Sequence, residues 1–481
     1  MTERIQKSLR DTTWARWVAL GLVSLTMFFA YYFVDVAAPL KGSLERYYGW
    51  SNQQFGWLGG SEFILNVMGF LILSGIILDK MGIRFTLRTS ALAMFIGGGL
   101  KFYALGFIDR SLVVDIFGME MPTTALLSYI GFAIFGIGVE MAGITVSKTL
   151  VKWFKGKELA LAMGLEMAIA RLGVFAVFQL SPRFAGITEA TPLGIEPGVQ
   201  LAMTWAMAFI AIGALSFILY TFMDAKLDKQ SGETLEVHPE DEFKFSDLGK
   251  ILTNPGFLAI AGLCVLFYSA IFPFQKFAAD MLSSKLDISM DVASSLFSWF
   301  PIGAMVLTPI IGYFLDKKGY GASLMFFGAV LLVVSHLIFA LVPEESFNMF
   351  TAVLTIVVLG TAFSLVPASM WPSIPKIVEE RLLGSAYGLI FWIQNIGLMA
   401  VPVLIGWSLT ASNPGVGEAI AQGELVKYNY TVPEFIFAGF GVLAMILALV
   451  LKAVDKKYGY GLELPNIEAE KEKVLENKPE M

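Results

Sequence analysis

A chain of 481 residues that is 56% hydrophobic and only 15% charged departs from soluble domains, which carry about 25% charged residues. The formal net charge of −6 offers no basic face to nucleic acid. One cysteine, Cys264, and two histidines, His238 and His336, exclude a disulfide framework, a thiolate cluster and a histidine-based metal site, and no cofactor is expected. A bilayer absorbs the apolar surplus, and the 46 Gly fit helices packed closely in lipid.

The charged N-terminus, MTERIQKSLRDTTWARW, precedes a long apolar stretch without a small-residue cleavage site. The first span is therefore expected to be retained rather than removed as a signal peptide. A crossing needs about 20 mostly apolar residues. Spans are predicted at 15–38, 53–78, 86–107, 123–152, 159–181 and 200–222, then at 254–279, 288–315, 322–342, 347–375, 383–408 and 432–454. This is an all-α integral membrane protein of twelve transmembrane helices in two six-helix, pseudo-symmetric halves. The halves are residues 1–222 and 251–458, joined by a polar cytoplasmic linker at 223–250 and followed by a polar tail at 459–481. With both termini cytoplasmic, most of the 34 Lys and Arg fall in cytoplasmic segments, as the positive-inside rule requires.

A repeat supports the halves. GIILDKMG, Gly75 to Gly82, follows the second span, and GYFLDKKG, Gly312 to Gly319, follows the eighth. Each occupies the turn between the second and third spans of its half, as in transporters built from parallel repeats. In the first copy Gly75, Asp79, Lys80 and Gly82 lead to Arg84; in the second Gly312, Asp316, Lys317 and Gly319 stand in the same places. The glycines allow a tight turn, Asp can cap a helix N-terminus, and the cations can grip carbonyl ends or a carboxylate across the bundle. These residues are expected to couple conformational change rather than to bind substrate.

This pattern resembles the signature loop of the major facilitator superfamily, which implies the major facilitator fold and alternating access. Longer stretches resemble one subfamily, that of the lysosomal dipeptide uniporter (major facilitator superfamily domain-containing protein one) and its bacterial relatives. They are YYFVDVAAPL, FGIGVEMA, WFKGKELALAMGLEMAIARLG, FPFQKF, MWPSIPKIV and LGSAYGLIFWIQNIGL. The resemblance implies a dipeptide carrier favouring cationic side chains, without an obligate driving ion and with a single-pass accessory protein; a monomer is expected. Lys101 and Glu166 stand where the subfamily is expected to carry uncharged residues. The absence of an acidic dileucine signal and of a long glycosylated outer loop favours a bacterial inner membrane over a lysosome.

Ionisable residues inside spans are costly and functional by default. Glu140 stands about 13 residues before Trp153, and Arg171 about 12 after Leu159. At about 1.5 Å per residue both reach the midplane, as an opposite-charge pair facing the cavity. In the peptide-carrier reading Glu140 accepts the substrate ammonium and Arg171 forks its carboxylate; a structural ion pair is the alternative. Tyr31 and Asp35 share a helix face, where Asp35 either holds a cationic side chain or caps the helix. Glu62 and Asn66 suggest a structural hydrogen bond. Glu166 lies about 140° around the helix from Arg171, answering another helix or holding a proton. Lys101 and Lys148 are expected to snorkel to the surface. Tyr268, Trp371 and Asn395 are further cavity-lining candidates, Trp371 because Pro372 should break the helix beside it. His336 is expected to be peripheral.

A carrier is the leading expectation, with a proton-coupled carrier or exchanger of small organic anions second. Neither GxSxG, HExxH nor a nucleotide loop occurs, so an enzyme or receptor is not favoured.

Overall fold

The computed structural model describes residues 9–116, 118–154, 157–187, 198–231, 248–424 and 426–465. Most of the expected linker, from 232 to 247, and the tail from 466 onward lie outside the described residues. The first helices are α1 (Thr13–Asp35), α2 (Lys41–Tyr48), α3 (Asn52–Leu65) and α4 (Leu71–Phe107), with a π turn at Asn66–Phe70. A hairpin follows, β1 (Val113–Ile116) and β2 (Met119–Pro122), paired antiparallel with Val114 opposite Met121. The sequence did not suggest this ornament on an all-α chain. Next come α5 (Thr123–Phe154), α6 (Leu159–Phe184), α7 (Val199–Ser231), α8 (Leu248–Leu252), α9 (Pro255–Leu286), α10 (Met290–Phe297) and α11 (Trp299–Lys318). The last are α12 (Gly321–Leu341), α13 (Met349–Ile377), α14 (Leu383–Ser412), α15 (Val416–Ala421) and α16 (Thr431–Tyr458).

Among the described residues eleven helical stretches are long and apolar enough to cross a membrane. One of them, Asn52–Phe107, has 56 residues, where a crossing needs about 20. Its backbone leaves helical dihedrals at Gly82, φ 78° and ψ 171°, inside the first signature turn. The sequence places two spans, 53–78 and 86–107, on either side of that point.

The chain forms two compact units. One comprises Met1–Val237, Lys276–Ser298 and Pro402–Tyr428; the other His238–Gln275, Trp299–Val401 and Asn429–Met481. In the first unit, α4 and α5 approach backbone to backbone. A side chain at Gly131 would meet the Gly97 carbonyl oxygen at 2.6 Å, a close approach that suits association in lipid. Ser90 Oγ then donates to the Gly138 carbonyl at 2.8 Å. In the second unit, α12 packs on α13 and α16, and α11 on α13. There α13 runs unbroken past Pro372, contrary to the expected break. The proline that matters to Trp371 is Pro375, four residues on. It has no N–H to offer the Trp371 carbonyl, which accepts from the Tyr387 hydroxyl at 3.4 Å instead.

Candidate functional site

In the first unit α1 carries Tyr31 half-buried, and α5 and α6 carry Glu140, Glu166 and Arg171, also half-buried. The charges of Glu140, Glu166, Glu62 and Arg171 all bear on the Tyr31 phenol. Glu140 and Arg171, singled out from the sequence, thus both act electrostatically on one hydroxyl, as does Glu166. Among the described residues neither the Glu140 nor the Glu166 carboxylate makes a hydrogen bond or an ion pair. Opposite charges within electrostatic range of one phenol have the signs a zwitterion needs, carboxylates for its ammonium and a guanidinium for its carboxylate.

Asp35, one turn beyond Tyr31, has a different neighbour. It is buried, and its Oδ1 lies 2.8 Å from Lys276 Nζ on α9. Lys276 also reaches Glu62 Oε2 at 3.5 Å and the Val34 carbonyl at 3.2 Å. The cation held by Asp35 therefore comes from the chain itself. Asn66 does bond Glu62, through Nδ2 to the Glu62 backbone oxygen at 3.5 Å, while the Glu62 side chain goes to Lys276. A second cluster lies at the same end. Lys41 Nζ stands 2.9 Å from Asp280 Oδ2, 3.5 Å from Glu45 Oε2 and 4.6 Å from the Tyr428 ring centre. The Tyr428 hydroxyl donates to Glu45, and burial together with the Glu45 charge raises its pKa.

Sequence reasoning did not single out Lys276, Asp280, Lys41 or Glu45. Lys276 could have been found, since it lies within the predicted span 254–279 and inside the FPFQKF stretch. Asp280 follows it by one helical turn, on the same face.

Three expectations need correction. Lys101 does not snorkel: it is fully buried, its Nζ 3.9 Å from the Phe132 ring centre and 5.2 Å from that of Phe33. Aromatic faces from α5 and α1 attract the ammonium. Lys148 is drawn to Asp79 at 2.7 Å rather than to open water. His336 is not peripheral: its Nδ1 lies 2.7 Å from Glu434 Oε2, both side chains fully buried. Phe274, Phe339 and Phe437 pack around the imidazole.

The two signature turns are held differently. In the first, Asp79 meets Lys148 of α5, and Arg84 reaches Asp228 at 3.3 Å and Asp224 at 3.8 Å on α7. Lys152 completes that cluster, 2.7 Å from Asp224 and 2.6 Å from Asp228. Lys80 is exposed and Gly75 half-buried. In the second, Asp316 and Lys317 are exposed and Gly312 half-buried, whereas Gly319 is buried against the chain after α16. The Tyr320 and Gly321 amides donate to the Glu463 and Leu462 carbonyls, both at 3.0 Å.

The remaining candidates lie in the second unit. Trp371 Nε1 donates to the Tyr268 hydroxyl at 3.2 Å, and the indole stacks on Phe391 at 5.0 Å. Tyr268 stacks on Phe272 at 5.3 Å. Asn395 is buried, and its amide nitrogen makes no hydrogen bond among the described residues.

A bundle of long apolar helices with charged residues held inside it is the architecture of a membrane transporter. The sequence model of the Major Facilitator Superfamily matches residues 22–277 and 277–466, and the chain belongs to that superfamily. It is 27% identical over 336 residues to the lysosomal dipeptide transporter MFSD1 of Mus musculus, and 28% identical over 341 residues to that of Bos taurus. Each match covers 68% of this chain and 66% of the relative's own length. Among solved structures, the nucleoside transporter NupG aligns with TM-score 0.65 at 16% identity, covering 91% of this chain and 99% of its own. A bacterial homologue of the human lysosomal transporter Spinster aligns with TM-score 0.63 at 13% identity, covering 91% and 96%. These likenesses show the major facilitator fold. The chain is a multi-pass membrane protein, and its lysosomal relatives do not favour the bacterial inner membrane suggested by the sequence.

Proposed function

We propose that this protein is a facilitative dipeptide carrier. One observation carries the reading: Glu140, Glu166 and Arg171 lie on α5 and α6 inside apolar spans where ionisable groups are costly, each within electrostatic range of Tyr31. Relatives named as dipeptide transporters support it. Glu140 receives the substrate ammonium and Arg171 its carboxylate; the extra acid, Glu166, favours cationic dipeptides. Transport proceeds by rocking of residues 1–222 against 251–458, with both termini cytoplasmic. Asp35 and Lys276 form a latch at the outer end, so a bifunctional methanethiosulfonate that bridges Asp35→Cys and Lys276→Cys should stop counterflow until it is reduced.

The test of the substrate is affinity, measured by thermal shift on purified protein, for a dipeptide, its C-terminal amide and its N-acetyl form. Glu140→Gln should weaken the first two and spare the third. Equal losses for all three ligands would show a structural role and end the peptide-terminus reading.

A further inference from the structure

Lys101 has no place in the reading above. Its ammonium is sealed on α4 and makes no hydrogen bond among the described residues. Burying a charge without an anion is expensive, and a ring face returns only part of that cost. A methionine would fill the same space without the cost. The ring beneath Lys101 also lies 5.7 Å from Lys276 Nζ. The charges of Lys276, Glu62 and Asp35 all act on Lys101. Two cations and two carboxylates are therefore assembled at one sealed end, and Lys276 alone of the two cations touches the acids.

The acids sit on α1 and α3, and Lys101 on α4, all in the N-terminal six-helix half of the sequence. Lys276 sits on α9, which belongs by sequence to the other half although Lys276–Ser298 fall in the first compact unit. A carrier that opens this end must draw Lys276 off Asp35 and Glu62, leaving two carboxylates side by side. We propose that Lys101 is a positioning residue that replaces Lys276 on those carboxylates when the latch opens. Phe132 is its resting place. A lysine stem is long enough to swing between a ring face and an adjacent acid, and the exchange keeps one cation on the two carboxylates in both states. The outer face can then open without leaving the two carboxylates bare of any cation, and close again by return of Lys276.

This inference rests on the alternating-access part of the proposed function and not on the substrate. The test is a structure of Lys276→Met in nanodiscs without ligand. Lys101 Nζ should leave the Phe132 face and stand within about 3.2 Å of the Asp35 or Glu62 carboxylate. A Lys101 that stays on Phe132 while both acids keep their positions overturns the proposal. Should that variant fail to fold, Asp35→Asn/Lys276→Met removes one acid with the cation and leaves Glu62 as the acceptor. Lys101 on Glu62 supports the exchange, and Lys101 still on Phe132 again overturns it. Failure of the dipeptide affinity test leaves this structural readout untouched, so the two ideas can fall separately.

Discussion

Two groups of charged residues share the first unit and differ in the source of their counter-charges. At the sealed end each carboxylate is closed on a lysine of the chain, Asp35 and Glu62 on Lys276, Asp280 and Glu45 on Lys41. Around Tyr31, Glu140 and Glu166 have no such cation in contact among the described residues. A charge in a span is neutralised somehow. The first group is satisfied by the fold, and we read the second as waiting for a ligand. Mutations in the first group should therefore register in stability and closure, and those in the second in affinity.

The largest effect should come from Lys41→Met. It leaves Asp280 and Glu45 without their cation, and breaking a buried pair from one side costs about 3–5 kcal/mol. Thermal unfolding in detergent should show a large drop. Lys276→Met should cost less, because Lys101 stands ready beside the same acids. Equal losses in the two variants would remove the distinction between a fixed pair and an exchangeable one.

Arg171→Lys should register in affinity. It keeps the charge but loses the planar fork that matches a carboxylate. A hydrogen bond to a charged group is worth about 1.5–3 kcal/mol, so affinity for a free dipeptide should fall about 10–100-fold. Its C-terminal amide should lose far less. A melting shift as large as that of Lys41→Met would place Arg171 with the structural group.

The signature turns offer a finer contrast. Gly319 has φ +76°, and a side chain there would strike the Glu463 carbonyl and approach the Leu464 carbonyl carbon at 2.6 Å. Gly82 has φ +78° but open space around it. Gly82→Ala should cost only the strain of its backbone, φ 78° and ψ 171°, a region nearly confined to glycine, about 1–3 kcal/mol. Gly319→Ala adds a collision with main chain, and its melting temperature should fall further. Equal falls would mean that the segment after α16 does not anchor the second turn.

Much of this was legible in the sequence, for physical reasons. Apolar runs long enough to cross a bilayer report helices directly, so the expected span 123–152 is close to the observed Thr123–Phe154. The signature repeats were readable because turns need glycine and charge at fixed spacing. Partners were not readable. Nothing in the local sequence says that Lys276 meets Asp35, because that contact joins residues 241 apart in the chain. Lys101 was misplaced for a related reason: snorkelling was inferred from depth along the helix, whereas its direction around the helix points it at Phe132.

The smallest effect should come from Asp79→Asn, and it sharpens the comparison most. The Asp79–Lys148 pair is partly exposed, with side-chain accessibilities of 31% and 27%. Such pairs contribute about 0.2–1 kcal/mol, so the variant should fold and melt almost normally. The pair joins α4, beside the signature turn, to α5, far along the chain from Tyr31, so equilibrium affinity should also hold. What should change is the rate of counterflow, because the pair ties α4 to α5 at the end opposite the Lys276 latch. Lys148→Met should reproduce the change, and the double variant should be no slower than either single one if the two side chains act only through each other. Asp316 is more exposed than Asp79, and its turn is held by main-chain bonds to Leu462 and Glu463. Asp316→Asn should therefore shift the rate less than Asp79→Asn. Measured by counterflow time course beside thermal-shift affinity, a loss of affinity at normal exchange rate in either variant would move that aspartate from the conformational group to the binding group.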